Sequence, residues 1–161
     1  ENVIMNKKQK SLTNKGFSLV ELIIVIAIMA VLVGVLAPQF LKYVEQSRKS
    51  KDIQTANSLQ TAYLADIADS SLTAATGNYG TNVSGTITPA KLDGSAAKLP
   101  STVSEIPKVA GTETSTDPNF YVYTNCNDGI CKVYVKVGTK YYELTTTDTA
   151  VTDNATAYKN L

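Results

Sequence analysis

The chain has 161 residues, a formal net charge of +1 and 43% hydrophobic residues, which is enough for one domain and an anchoring segment. It has no histidine and only two cysteines. These counts exclude a Ser-His-Asp or Cys-His catalytic group and a four-ligand zinc site built from His and Cys. No phosphate-binding or dinucleotide-binding glycine motif occurs. We therefore expect no enzymatic activity, no cofactor and no metal site.

The first predicted element is an apolar helix that starts after four lysines at positions 7, 8, 10 and 15. As a helix, residues 17–37 would span about 31 Å at roughly 1.5 Å per residue. This length matches the hydrocarbon core of a bilayer, which is about 30 Å thick. The preceding lysines place the N-terminus in the cytoplasm. We expect residues 17–40 to form a membrane segment.

Glu21 lies near the start of this apolar segment, where a carboxylate costs about 2.5–3.5 kcal/mol at bilayer depth and less near the interface. One interpretation is that Glu21 lies at the headgroup boundary. The other is that it needs a cationic partner, and no Lys, Arg or His lies between Phe17 and Phe40. A cut after Gly16 would release an amino group on Phe17 that could pair with Glu21 of a neighbouring helix.

Residues 15–22, with the sequence KGFSLVEL, resemble the class III signal sequence of type IV prepilins and pseudopilins. The resemblance implies that a prepilin peptidase cuts between Gly16 and Phe17 and N-methylates Phe17. It also implies that Glu21 is needed for assembly. Pro38 matches the proline that usually follows the apolar segment in this family.

By this resemblance, residues 1–16 are a leader that is removed, and Met5 is expected to be the natural start. Removal takes away four lysines and Glu1, which leaves 11 basic and 13 acidic residues, a net charge of −2. Two rival interpretations are an ordinary secretory signal peptide, with its cut after Ala37, and a plain single-span anchor. Pro38 after the cut disfavours the first, and Glu21 is unexplained by the second.

The helix is expected to continue to about Ser70, with residues 41–70 forming an amphipathic second half. Apolar residues recur at helical spacing: Phe40, Val44, Ile53, Ala56, Leu59, Tyr63 and Ile67. Polar residues are assigned to the opposite face: Gln46, Arg48, Lys49, Lys51, Asp52 and Gln54. Gly34 and Pro38 mark an expected kink, and we hypothesise that this turn melts when helices pack into a filament.

Residues 71–118 are rich in Thr, Ser, Gly and Ala, and are expected to form a long αβ-loop that wraps over the sheet and faces solvent. Within this loop, Thr88 and Pro89 predict the start of a short helix over residues 90–92.

Strands are expected in the last segment, 119–161, where β-branched and aromatic residues fill 120–124, 132–137 and 141–147. Turns at Asp128-Gly129 and Gly138-Thr139 join them into an antiparallel meander. A fourth strand would come from residues 149–152 or from the loop before the sheet. The predicted fold is α+β: one long N-terminal helix packed on an antiparallel sheet of three to four strands, the type IV pilin fold.

Cys126 and Cys131 flank the first turn, so they could face each other at disulfide distance, and an extracytoplasmic location favours oxidation. Two free thiols are the alternative. Type IV pilins carry a cysteine-bounded loop near the C-terminus, and this pair resembles a compact version of it.

The resemblance implies a structural subunit, a homopolymer in a helical surface filament that serves adhesion, motility, biofilm formation or DNA uptake. Its implied partners are the prepilin peptidase, the assembly ATPase and platform, the cytoplasmic membrane, and a host surface or DNA. The precursor would lie in the cytoplasmic membrane and the assembled form outside the cell. Alternatives are a pseudopilin of a type II secretion or competence system, and an anchored binding module that uses loop 71–118.

Overall fold

A computed structural model describes residues 16–111, 116–145, 158 and 161. It shows an α+β fold, as predicted: one long helix followed by antiparallel sheets of two and four strands. The elements are α1 (Leu19–Ala68), β1 (Thr81–Val83), β2 (Thr86–Thr88), β3 (Ala90–Lys91), β4 (Phe120–Asn125), β5 (Ile130–Val137) and β6 (Lys140–Glu143). The expected strand at residues 149–152 and nearly all of the leader lie outside the described residues.

Helix α1 covers the predicted range of 17–70 to within two residues at each end. At its C-terminal end Ser70 adopts a left-handed backbone conformation, with φ 64°, and the Leu72 N–H donates to the Asp66 carbonyl at 3.0 Å. The chain divides into two compact units, Glu1–Phe40 and Leu41–Leu161. The first contains the apolar part of α1, and the second contains the rest of α1 and both sheets.

The larger sheet has the order β3-β4-β5-β6, and every neighbouring pair is antiparallel. The β4–β5–β6 meander and its two turns are as predicted, with Gly129 and Gly138 in the left-handed conformation that the turns need (φ 65° and 61°). The fourth strand, β3, comes from the segment before the sheet, which was one of the two expected sources.

The predicted short helix at residues 90–92 is wrong, because this segment pairs with the sheet instead. Ala90 lies opposite Val122, Lys91 lies opposite Tyr121, and the Leu92 N–H donates to the Phe120 carbonyl at 2.9 Å. Thr88 and Pro89 are only a weak local signal for a helix start. Pairing with β4, together with complete burial of Leu92, overrides it.

The core lies between the amphipathic part of α1 and one face of the larger sheet, as the stripe of apolar residues predicted. Its buried members include Ala56, Leu59 and Tyr63 from the helix and Phe120, Val122, Val133 and Val135 from the sheet. The loop before the sheet is less exposed than expected, since it also contributes Tyr79, Leu92, Ala97 and Val109 to this core. Its few large side chains therefore serve packing, although its composition is that of a solvated segment.

Polar residues interrupt the buried stripe of α1, and the assignment of Lys49 and Asp52 to the solvent-facing side is wrong. The buried positions are Lys49, Asp52, Ala56, Leu59, Tyr63 and Asp66, which follow one another at intervals of three and four. This regular spacing puts all six residues on one helix face. The regular spacing of these six residues was visible in the sequence. Lys49, Asp52 and Asp66 were not counted with the apolar stripe because they are polar.

The Asp52 carboxylate is buried and holds the distant end of the loop against α1. It accepts hydrogen bonds from the backbone N–H groups of Ala110 (2.7 Å) and Gly111 (2.9 Å) and from the Tyr158 hydroxyl (2.7 Å). The Lys49 Nζ lies 5.8 Å from the centre of the Tyr158 ring. A Cβ added at Gly111 would clash with the Tyr158 hydroxyl, so this approach requires glycine.

Asp66 makes a second attachment of the same kind, about one helical turn after Tyr63 on α1. Its carboxylate accepts the backbone N–H of Ser101 at 2.6 Å and the Ser101 hydroxyl at 2.5 Å. Between the two aspartates, the Tyr63 hydroxyl donates to the Lys98 carbonyl at 2.5 Å. One face of α1 therefore holds the loop at three places. Asp52 and Asp66 accept backbone N–H groups of the loop, and Tyr63 donates to a backbone carbonyl.

We predict that Asp52→Ala lowers the free energy of unfolding by about 3 kcal/mol, because it leaves the buried Gly111 N–H, the half-buried Ala110 N–H and the Tyr158 phenol without the carboxylate acceptor. The measurement is urea unfolding of the full chain in zwitterionic micelles, followed by near-UV circular dichroism of the tyrosines. Glu105→Ala is the matched control, since Glu105 is exposed, and it should shift the midpoint little. Equal stability of Asp52→Ala and Glu105→Ala would contradict the assigned role of Asp52.

Candidate functional site at the start of the helix

The start of α1 is organised by Ser18 and Glu21. The Ser18 backbone N–H donates to Glu21 Oε2 at 2.9 Å, and the Leu22 N–H donates to the Ser18 carbonyl at 3.2 Å. A glutamate at the third helical position that reaches back to the N-cap N–H is half of a capping box. A negative charge in the first turn is also favoured by the helix dipole. The carboxylate is therefore held at the N-terminal end of the helix.

The sequence analysis missed this capping role, although the pattern S-x-x-E at residues 18–21 was visible. Only one carboxylate oxygen is used, because Glu21 Oε1 has no hydrogen-bond partner among the described residues. The helix start therefore presents a carboxylate that is fixed in direction and still has an acceptor oxygen available.

The helix that carries Glu21 exposes an almost continuous apolar surface. About half or more of each large side chain is accessible at Leu19, Val20, Leu22, Ile23, Ile24, Val25, Ile26, Ile28, Met29, Val31, Leu32, Val33, Val35, Leu36, Phe40 and Leu41. Its most apolar window has a mean hydropathy of 3.1, and none of that window is buried. By length and composition this helix is able to cross a membrane. Such a surface calls for lipid or other apolar helices as its surroundings.

Comparison with known proteins identifies the signal at this site. Residues 12–37 match the family model described as the prokaryotic N-terminal methylation motif. The chain has the signal sequence of a type IV pilin-like prepilin. Such a motif supports a pilin-like or pseudopilin-like prepilin and does not distinguish between the two. No curated protein and no solved structure matches the chain.

The matched segment contains several of the predicted site residues. It includes Gly16, Phe17, Glu21 and Gly34 and ends one residue before Pro38. Prepilins with this motif are substrates of a prepilin peptidase and are associated with the membrane as precursors. In the structure Gly16 and Phe17 lie just before the helix, and 84% of the Phe17 side chain is exposed. A protease could therefore reach this junction in the single chain.

Gly34 and Pro38 lie inside α1, which continues through both positions without a break. A proline has no N–H to donate to the carbonyl four residues before it, and for Pro38 that residue is Gly34. A Cβ added at Gly34 would meet no atom within 4 Å. The helix therefore has one missing hydrogen bond beside an open notch on its surface.

The expected disulfide is not formed in the structure, where Cys126 and Cys131 are both free thiols. The strand register explains the difference. Cys131 lies opposite Thr124, and the ladder ends with Asn125 opposite Ile130. Cys126 comes after the last ladder pair, in the turn, and its N–H donates to Asn78 Oδ1 at 2.8 Å. The two cysteines are thus not cross-strand partners.

The two thiols differ in burial and therefore in their pKa and reactivity. Burial in the core, with a smaller contribution from the neighbouring Cys126, raises the pKa of the Cys131 thiol to about 12. Burial also raises the pKa of the Cys126 thiol, which remains partly accessible. Because the thiolate is the nucleophile, Cys131 should be the less reactive residue.

We predict that iodoacetamide modifies Cys126 well before Cys131 when the folded chain is treated at pH 8. The rate at Cys126 should keep rising above pH 9, because a raised pKa moves thiolate formation to higher pH. Peptide mass spectrometry after timed quenching measures both rates, and the unfolded chain is the control in which the two rates converge. Absence of labelling at both positions without a reductant would instead show that the two residues are oxidised.

Proposed function

We propose that this chain is the structural subunit of a type IV pilus. Prepilin peptidase cuts between Gly16 and Phe17 and methylates the new terminus, after which the chain polymerises into a helical surface filament. The observation that carries this proposal is the position of Glu21, a carboxylate fixed at the end of an exposed apolar helix. The leader is residues 1–16, and residues 17–40 form the filament core.

The charge of Glu21 supplies the specificity of assembly in this proposal. Cleavage after Gly16 leaves an amine on Phe17, and the available Glu21 Oε1 is a suitable acceptor for it. In an apolar surrounding, an ion pair between neighbouring chains is strong, and an unpaired charge there is very unfavourable. The pair therefore sets the axial register between adjacent helices, while the apolar side chains supply non-directional attraction.

The surface of the same helix also fits the proposed packing. Ala27, Ile28, Val31 and Leu32 form a shallow, open apolar depression on the helix surface, against which a side chain of a neighbouring helix could pack. A head-to-tail contact between copies generates an open helical filament when the rotation between them does not close a ring. A small set of apolar contacts repeated along the filament would therefore bury the surface that a single chain leaves exposed.

In the assembled form, the rest of the chain would face outward. We assign residues 41–70 to the helix that enters the globular domain, 71–118 to the αβ-loop and 119–161 to the sheet. The membrane holds the subunit before assembly, and an assembly ATPase with its platform moves it into the filament. The fibre would then serve adhesion, motility, biofilm formation or DNA uptake.

Glu21→Ala and Glu21→Gln together test the proposal. Glutamine can keep the hydrogen bond from the Ser18 N–H, since a capping box accepts Gln at this position, but it removes the charge. We predict that both variants lose most of the sheared surface fibres, roughly tenfold or more for loss of a buried ion pair. The leader should still be removed in both, as seen by the shift in gel mobility.

The matched comparison is Ser18→Ala, which changes the same helix start without touching the carboxylate. Normal fibre yield in Glu21→Gln would mean that Glu21 only caps the helix, and the proposal would be wrong. Retention of the wild-type chain in the membrane, with no long fibres in the sheared fraction, would instead favour an anchored binding module or a pseudopilin.

A separate prediction concerns Gly34 and Pro38. In a cryo-electron microscopy map of the fibre, we expect the backbone over residues 33–40 to lose helical hydrogen bonds and lengthen, because Pro38 already leaves the Gly34 carbonyl without its donor. Pro38→Ala restores that donor and should give fibres with a regular helix there. A regular helix over residues 33–40 in wild-type fibres would rule out the proposed melting.

A further inference from the structure

The globular unit has a polar hollow of about 490 Å³ at the edge where β1 approaches β4. Its walls are formed by Asn78, Gly80, Asn82, Tyr123, Thr124 and Asn125. Of the residues described as lining it, none carries a charge. A phosphate or another strongly anionic group would therefore find no cationic side chain among these walls, and a metal ion would find no carboxylate.

Two asparagines in this hollow are fixed in orientation by backbone groups. Asn78 Oδ1 accepts the Cys126 N–H at 2.8 Å, and Asn82 Oδ1 accepts the Gly85 N–H at 3.1 Å. Because an N–H donor must face the amide oxygen, these hydrogen bonds assign the Oδ1 and Nδ2 atoms of both asparagines. Both Nδ2 groups are then donors, and neither has a hydrogen-bond partner among the described residues.

The other polar side chains that line the hollow, Asn125 and Thr124, already make hydrogen bonds within the fold. Asn125 Oδ1 accepts the N–H groups of Asn127 and Asp128, and its Nδ2 donates to Asp128 Oδ2 at 2.5 Å. The Thr124 hydroxyl accepts the Tyr79 N–H and donates to the Gly77 carbonyl. These two residues shape the hollow, and the donors that remain available are the Asn78 and Asn82 amides.

Tyr123 also lines the hollow but is only 7% exposed, so little of its ring faces a ligand; its hydroxyl has no hydrogen-bond partner among the described residues. Its ring packs with Tyr121 and Tyr134 on the outer face of the sheet, so it is held in place. Gly80 lines the hollow without a side chain and has a left-handed backbone conformation (φ 76°), which favours glycine. The hollow thus combines fixed amide donors and a phenol hydroxyl without charge.

We propose that this hollow binds a neutral carbohydrate. Sugar hydroxyl and acetamido oxygens accept hydrogen bonds, which suits two oriented amide donors and the Tyr123 hydroxyl in a mainly polar hollow. Exchange of water for such a ligand costs little where the donors are already fixed in place. The inference goes beyond the proposed filament, because each chain carries the complete hollow and needs no second copy.

The test uses the full mature chain in zwitterionic micelles, since detergents with sugar headgroups would compete. Saturation-transfer NMR is recorded with glucose, galactose, mannose, N-acetylglucosamine and N-acetylgalactosamine, each added alone. We expect transfer to at least one of these sugars. Sialic acid is the charged comparison and should show weaker transfer. Absence of transfer to all five neutral sugars would overturn the proposal, whether or not the chain forms filaments.

The decisive variant is Asn78→Asp combined with Asn82→Asp. Aspartate keeps an oxygen for the Cys126 and Gly85 N–H groups, so the fold is retained, but it replaces each Nδ2 donor with a second acceptor. We expect affinity for the bound sugar to fall by about tenfold or more for two lost hydrogen bonds. Asn127→Asp introduces one negative charge, half that of the double variant, in the adjacent turn outside the hollow and should leave affinity nearly unchanged.

Tyr123→Phe removes only the hydroxyl and should weaken binding by a smaller factor, about threefold. Amide NMR spectra of each variant establish that the fold is intact. Unchanged affinity in the double aspartate variant, or an equal loss in Asn127→Asp, would place the sugar elsewhere and contradict the assignment.

Discussion

The constraint on which the proposed function depends is the exposed apolar surface of helix α1, which water solvates poorly. Helix α1 exposes apolar side chains on all sides through its first six turns, and the only charge among them is Glu21 at its start. Lipid solvates the apolar side chains well but the Glu21 carboxylate poorly. Water solvates the carboxylate well but the apolar side chains poorly. In the proposed filament, packing against other copies with an amine beside Glu21 would meet both requirements, whereas the membrane alone would meet only the apolar one.

The globular unit meets a different requirement, which is to hold a long, weakly apolar loop on a small core. It does so with buried polar groups of the helix in addition to the apolar side chains that the loop contributes to the core. Asp52 and Asp66 accept backbone N–H groups from two distant parts of the loop, and Tyr63 donates to a third. Buried carboxylates are costly unless they are fully hydrogen-bonded, so this arrangement ties the loop to one position on the helix.

The sequence was sufficient where periodic patterns extend over many residues. The length of α1, the β4–β5–β6 meander and the apolar stripe all follow from repeated spacing. The errors came where tertiary contacts override local signals. Pairing with β4 turned the expected helix after Pro89 into a strand, and the buried Asp52 lies on a stripe that was defined by apolar residues only. The disulfide stays a prediction: Cys126 and Cys131 are free thiols in the structure and are not cross-strand partners, because the ladder places Cys131 opposite Thr124.

The candidate site was predictable to a different degree. Spacing within residues 15–22 was enough to identify the motif that the family comparison also finds. It was not enough to show that Ser18 directs the Glu21 carboxylate, although the capping pattern was present. The polar hollow could not be predicted at all, since Asn78 and Tyr123 are 45 positions apart (123 − 78) and only the pairing of residues 77–79 with Thr124 brings them together.

In the proposed filament, Glu21 pairs with an amine that proteolysis creates on Phe17. Top-down mass spectrometry of chains sheared from the cell surface tests whether that amine exists. We expect a mature chain that begins at Phe17 and bears one added methyl group on its terminal nitrogen. A surface chain that begins at any other residue, or one that retains residues before Phe17, would contradict this proposal.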